Sequence, residues 1–399
     1  MKRIIFVDDE TNVLQGLQRM LRPMRDEWEM AFAESGSQAL QTMTEKPFEV
    51  VVSDMRMPGM NGADLLAEVK KRYPQTVRII LSGQSEQETL MASLASTHQL
   101  LSKPCEPDLL KATVARAFAL RDLLADTTLK ELVLQIQSLP SLPSLYVELT
   151  KELESPEPSI NRVAELVSSD VGMSAKILQI ANSAFFGLRE HVSIPARAVN
   201  LLGLDTIRAL VLSLHIFSQF DRSQVPSFSL NALWSHSLAV GEHARQIARM
   251  ERQGRKLTDE AFTAGLLHDL GKLVLAANLP GEYARALSLS CGAKISQDEA
   301  EKQTFGASHA GIGAYLLGLW GFPDSVVEAV AFHHCPSRCL GKAFGTLTAV
   351  HAADVLDREL HPAENGTTDV LDMEYISSLG FGGRLDIWRE NRGGSGGAQ

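Results

Sequence analysis

The stretch FEVVVSDMRMPGMNG, residues 48–62, decides the fold of the N-terminal part. It opens as an apolar, β-branched run and ends that run on an acid, Asp54. Four more runs have the same character: RIIFVDD from Arg3, EMAFAES from Glu29, TVRIILSG from Thr76 and HQLLSKP from His98. A helix-like segment follows each of them. Strands alternating with helices predict a doubly wound, five-stranded parallel sheet with helices on both faces. Ligands of such sheets bind outside the carboxyl ends of the strands. The polar residues fall at those ends: Asp8 and Asp9, Asp54, Ser82 and Lys103.

Clustered carboxylates repel one another unless a hard cation neutralises them, and Mg²⁺ takes a few carboxylate oxygens together with water and phosphate oxygens. Asp54 is then a candidate nucleophile for an acyl phosphate. Lys103 would meet the phosphoryl group with charge and Ser82 with a hydroxyl. Taken singly, an aspartate at a strand end is more often a turn or cap residue. Together, VDDE, VVSDMRMPGMNG, LSG and SKPCEP resemble the receiver domain of two-component response regulators, over residues 1–120. The resemblance implies a flavodoxin-like sheet, Asp54 as phosphoacceptor, and Asp8 and Asp9 as the acidic Mg²⁺ pair. Arg56 would add a backbone carbonyl to the ion, Ser82 and Lys103 would be the switch hydroxyl and phosphate-binding lysine, and the Lys103–Pro104 bond would be cis. A sensor histidine kinase is the implied partner. Leu100 departs from the pattern, standing where receivers often carry a rotating aromatic.

The 399 residues exceed the length at which one core usually stops growing, so two domains are expected. With 45% apolar and 22% charged residues and no apolar run near the ~18 a spanning helix needs, the chain reads as soluble and without a membrane segment. The opening MKRIIFVDDE reads as a first strand and not a secretory signal, which points to the cytoplasm. The four cysteines show no regular framework and suit a reducing compartment. A net charge of -10 and the lack of a basic recognition helix argue against DNA.

From Asp108 to about Gln137 there is no proline or glycine, and Leu110, Val114, Ala117, Leu120 and Leu124 recur at helical spacing. This predicts a last receiver helix running into a helical linker, residues 121–137. The same helical face could form a homodimer seam, although no strict heptad is sustained.

After SLPSLPSL the pattern turns to helix upon helix, predicting an all-α domain over 138–360. Its motifs SSDVGMSAKILQIANSAFFG, LWSHSLAVGEHA, AGLLHDLGKL, FGASHAGIGAYLLGLWGFP and AVAFHH resemble the HDOD domain, a signalling output related to the HD phosphohydrolases. By resemblance, a helix carrying the adjacent His268 and Asp269 supplies two metal ligands, and His236, His309, His333, His334 and Asp354 supply the rest. Imidazole and carboxylate suit Fe, Mn or Zn. Lys272 could balance a phosphate. Each histidine alone is more often a hydrogen-bonded core residue, the reading kept for His243 and His351. Asn182 reads as a helix-end cap.

Relatives that hydrolyse cyclic di-GMP continue past the double histidine with a Glu and a GYP loop; here the text is HHCPSRCLGKAFG, and Ala232 stands where some carry a glutamate. The resemblance therefore implies a response regulator signalling through a non-catalytic output toward a downstream protein or a nucleotide-like ligand. The alternative is a phosphorylation-controlled, metal-dependent phosphohydrolase. Residues 361–399 read as a small helical extension ending in the flexible RGGSGGAQ.

Overall fold

The structure, a computed structural model, describes residues 2–82, 96–103, 105–121, 133–134, 139–141, 143–182, 191–208, 211, 217–219, 225, 227–339, 343–360 and 370–390. The Lys103–Pro104 bond, most of the linker, ANSAFFG beyond Asn182 and the RGGSGGAQ end lie outside the described residues.

The first domain carries β1 (Lys2–Val7), α1 (Thr11–Met20), β2 (Trp28–Ala33), α2 (Gly36–Glu45), β3 (Val50–Asp54), α3 (Gly62–Arg72), β4 (Val77–Ser82), β5 (Gln99–Ser102) and α4 (Pro107–Arg121). The strands form one parallel sheet in the order β2-β1-β3-β4-β5. Its inner strands are mostly apolar because helices cover both faces. Ile4, Val50, Val52 and Ile79 point into one core with Leu110 and Val114 of α4, while Ile5, Val51, Ile80 and Leu100 join Leu65 and Leu66 of α3 in another. The first half of the expected connector thus packs on the sheet. Leu100, in the place of the aromatic, is an aliphatic core residue.

The second domain is largely helical. Its described elements are β6 (Leu139–Ser141), α5 (Pro143–Glu154), α6 (Ile160–Ser168), α7 (Val171–Ala181), α8 (Pro195–Leu202), α9 (Leu204–Arg208), β7 (Phe217–Gln219), α10 (Leu230–Met250), α11 (Arg255–Leu267), α12 (Leu270–Asn278), α13 (Pro280–Ala293), α14 (Gln297–Phe305), α15 (His309–Leu319), α16 (Asp324–Phe332) and α17 (Thr346–Leu360). The expectation of an all-α domain needs one correction: β6 and β7 pair in parallel over three residues each. Six residues carry too short a pattern to read as strands, and Pro140 argues against one. Ser159 caps the start of α6, its side chain accepting from the Arg162 N–H. Asn182 closes α7: its Nδ2 donates to the carbonyls of Leu178 and Val192, and its Oδ1 accepts from the Val192 N–H.

Residues 372–388 do pack as a helical extension, α18 (Met373–Ser378) and α19 (Leu385–Glu390). Trp388 is fully buried and donates to Glu251, which also takes Arg384. Among the described residues no helix is long and apolar enough to cross a membrane.

Candidate functional sites

At the carboxyl end of the sheet, β1, β3 and β5 bring Asp8, Asp54 and Lys103 together. Lys103 Nζ lies 2.7 Å from Asp8 Oδ2 and forms a second ion pair with Asp54. Asp54 Oδ2 also accepts from the Arg56 N–H at 2.8 Å. Burial pushes the Asp54 carboxyl up against the opposing pull of Lys103. Burial works against the Lys103 charge, yet its bonds to Asp54 and Asp8 outweigh that and raise its pKa. Gly62 shows how tightly this corner is built: a Cβ there would stand 2.1 Å from the Asp54 carbonyl oxygen. Asp9 is exposed beside the pair, and Ser82 ends β4, its carbonyl accepting from the Lys103 N–H at 2.7 Å. Oxygen donors alone, two of them buried carboxylates, fit a hard divalent cation.

The second cluster is assembled by close helix packing. Gly265 of α11 meets Gly241 of α10 so closely that a Cβ would sit 2.8 Å from the Gly241 Cα, and this lets α10 bring His236 to the end of α11. His268 Nε2 lies 3.2 Å from His236 Nε2. Here an expectation is corrected: His268 and Asp269 do not share a helix but form the turn between α11 and α12. Asp269, with φ -98 and ψ 10, breaks the helical path. The turn brings both side chains into one cluster, which a continuous helix would splay by about 100°. His333 and His334 form a similar turn after α16.

All seven residues expected from the sequence converge. Asp269, His309, His333 and His334 offer ligand atoms within 4.8 Å of one another, and so do His236, His268 and Asp354. His309 Nε2 stands 3.2 Å from Asp269 Oδ1 and 3.0 Å from His334 Nε2. His268 Nε2 stands 3.4 Å from Asp269 Oδ2 and 3.5 Å from Asp354 Oδ1. Four of the histidines are held by Nδ1: His236 by Asp357 at 2.6 Å, His268 by the Gly265 carbonyl at 2.7 Å, His309 by Glu301 at 2.6 Å, and His333 by the Val330 carbonyl at 2.8 Å. Every Nε2 is therefore left facing the cluster, the arrangement a metal needs.

The cluster fits a metal on its own evidence. His333 Nε2 and Asp354 Oδ2 are buried without a hydrogen-bond partner, although buried polar atoms are rarely left so. Burial disfavours the ionised forms of Asp269 and Asp354, but neighbouring groups hold both carboxyls well below the usual range: His268 and Lys272 around Asp269, Arg358 beside Asp354. Burial, helped by His334 and His268, keeps His333 neutral. Burial also opposes a charge on His309, but Glu301 and Asp269 push its pKa up to about 9.

Glu301, Asp357 and Arg358 escaped the sequence reading. Asp357 and Arg358 fall three and four residues after Asp354, on its face of α17, which is a usable helical signal. Glu301 gave none; it lies in an ordinary polar helix. Lys272 pairs with Asp269 at 2.7 Å and Arg358 with Asp354 at 2.7 Å. A cavity of about 510 Å³ opens on this face, lined by His236, Asp269, Lys272, Arg358, Ser229 and Gln297 among others. His243 and His351 are hydrogen-bonded core residues, bonded to the carbonyls of Trp388 and His333.

The family model for the response regulator receiver domain matches residues 4–115, and that for the HDOD domain matches residues 139–336. An uncharacterized protein of Treponema pallidum is 26% identical over 203 residues, which are 50% of this chain and 38% of that protein. The hydrogenase transcriptional regulatory protein HoxA of Cupriavidus necator is 32% identical over 160 residues, 40% of this chain and 32% of that protein. The chain thus spans only about a third of these curated relatives. Among solved structures, the MmoQ response regulator of Methylococcus capsulatus is 23% identical, covering 63% of this chain and 98% of its own, with a TM-score of 0.47. An HDOD domain protein of Geobacter sulfurreducens is 24% identical, covering 70% of this chain and 89% of its own, with a TM-score of 0.34.

Proposed function

The chain carries a response regulator receiver domain and an HDOD domain, and from that premise we propose that it accepts a phosphoryl group on Asp54 from a sensor histidine kinase and signals through a metal-holding, non-catalytic output domain. The observation that carries the reading is the Asp8–Lys103–Asp54 constellation at the carboxyl end of the sheet. Asp8, Asp9, the Asp54 carboxylate and the Arg56 carbonyl would hold Mg²⁺, which neutralises charge between the acceptor and the phosphodonor. Lys103, already against Asp54, meets the transferred group with a positive charge, and Ser82 offers its hydroxyl. Asp54 attacks through a carboxylate oxygen, so the new bond is an acyl phosphate and the donor leaves with the electron pair of the broken bond.

In the output domain His236, His268, Asp269, His309, His333, His334 and Asp354 would hold Fe, Mn or Zn. Held by these residues, such an ion would stabilise the helical core by binding the folded state alone. Downstream, the output would engage a protein partner or a nucleotide-like ligand.

A second reading, metal-dependent phosphoester hydrolysis, is favoured by the cavity on the cluster, where Lys272 and Arg358 place two cations beside Asp269. Metal analysis and a phosphodiesterase assay on one purified sample, with and without phosphorylation, separate the two. The output reading expects bound metal and no turnover of cyclic di-GMP. Metal-dependent hydrolysis that His268→Ala with Asp269→Ala abolishes would replace it with the enzyme.

A further inference from the structure

Resting on the reading of a metal-holding cluster, we infer that the C-terminal extension, residues 372–390, belongs to that site: its Asp372 N–H fixes His351, which positions the ligand His333. Both ends of the extension are seated on histidines that are not among the ligands. At its start the Asp372 N–H donates to His351 Nε2 at 2.9 Å, and near its end the Trp388 carbonyl accepts from His243 Nε2 at 3.2 Å. Those two histidines stand on helices that carry ligands, His351 three residues before Asp354 on α17 and His243 seven residues after His236 on α10. The extension lies beyond residue 336, where the match to the HDOD model stops.

The bond to Asp372 matters because of what His351 does with its other nitrogen. α16 ends at Phe332, and a helix end leaves its last carbonyls without intrahelical donors. His351 supplies a donor there, its Nδ1 giving its proton to the His333 carbonyl at 2.7 Å. A carbonyl only accepts and a backbone N–H only donates, so the ring between them is neutral with its proton on Nδ1. Without the Asp372 N–H the buried Nε2 loses its donor, and nothing then holds the ring in the tautomer that the His333 carbonyl needs. The His333 side chain is pinned separately, Nδ1 against the Val330 carbonyl at 2.8 Å. Backbone and ring together aim His333 Nε2 at the cluster, 3.9 Å from Asp269 Oδ1. Asp372 is itself fixed: Oδ1 accepts from the Tyr375 N–H at 2.9 Å, Oδ2 accepts from the Ser337 hydroxyl, and the Tyr375 hydroxyl meets that of Thr348 at 2.9 Å. The start of the extension is thus tied both to the segment after the His333–His334 turn and to α17.

The test follows Co²⁺ binding to the full chain by its visible absorption, which reports ligand geometry, with excess Mg²⁺ keeping the receiver's oxygen ligands filled. The backbone at Asp372, with φ -71, is one that proline adopts, so Asp372→Pro removes the N–H together with the carboxylate, whereas Asp372→Ala removes the carboxylate alone. Asp372→Ala should bind Co²⁺ nearly as the wild type does. Asp372→Pro should bind about tenfold more weakly, with a shifted spectrum, and His351→Leu should do the same. Because His351 is buried in the core and Asp372 is only half-buried, the two Asp372 variants are the deciding pair. Equal affinity and the same spectrum in both would reduce the extension to packing and overturn the inference, whatever either does to thermal stability. A wild type that binds no Co²⁺ would bring down the metal reading, and the inference with it.

Discussion

Glu301 holds no metal in this account, yet it decides which nitrogen His309 offers. Its Oε2 takes both the His309 backbone N–H at 2.7 Å and the ring Nδ1 at 2.6 Å, fully buried. Removing the carboxylate frees the ring to turn and strands two buried donors. Glu301→Ala should therefore lower metal affinity by about 10- to 100-fold, the usual cost of losing such an orienting partner, while Glu301→Gln, which can still accept, should lose less. Metal titration of the two variants checks this, and equal affinities in both and the wild type would refute the orienting role. The metal-ligand candidates were legible because His and Asp letters fall in a recognisable order. Glu301 was not, since a glutamate on a polar helix looks the same whether its carboxylate meets water or a buried imidazole. Leu100 was legible as a departure, and its place in the core beside Ile80 explains what it does instead.

At the scale of elements, the strands were readable because a strand buried on both faces is mostly apolar, and five such runs admit few other folds. The His268–Asp269 pair was misread in one respect. A single apolar pattern runs from Phe262 to Leu275, and it masks the one boundary signal inside it, Asp269 at the N-cap position of α12. The break matters because it separates α11, which packs on α10, from α12, which packs on α15. Gly271 is the hinge point of that second contact. With a Cβ at 2.0 Å from the His309 carbonyl carbon's oxygen, backbone against backbone, no side chain can yield to relieve it. Gly271→Ala should force α12 and α15 apart, costing on the order of 1–3 kcal/mol or more as other overpacked cores do. Thermal melts and metal content should fall together. A variant with wild-type melting and wild-type metal would show that α12 and α15 are not held as described.

At the scale of the whole molecule, the division into two domains could be read from the change of pattern near SLPSLPSL, but how they meet could not. Sequence pattern tells which face of an element is apolar, not which other domain covers it. Arg78, in the middle of β4, illustrates the difficulty. Burial lowers its pKa to about 9, and its guanidinium donates to the carbonyls of Ser96, Thr76 and Leu134. Leu134 belongs to the connector, so the receiver grips the chain that leaves it, His98 Nε2 reaching the same carbonyl at 2.9 Å. Lys176 of the output domain is buried close by, and burial and the charge of Lys70 lower its pKa to about 7. The charge that the proposed function adds to the receiver is a phosphoryl group. Everything at this scale depends on that group arriving at Asp54. The direct measurement is phosphorylation by a small phosphodonor, with the labelled residue mapped by mass spectrometry. The account predicts Mg²⁺-dependent label on the peptide containing Asp54 and none in Asp54→Asn, whereas equal label in that variant would place the acceptor elsewhere and contradict it.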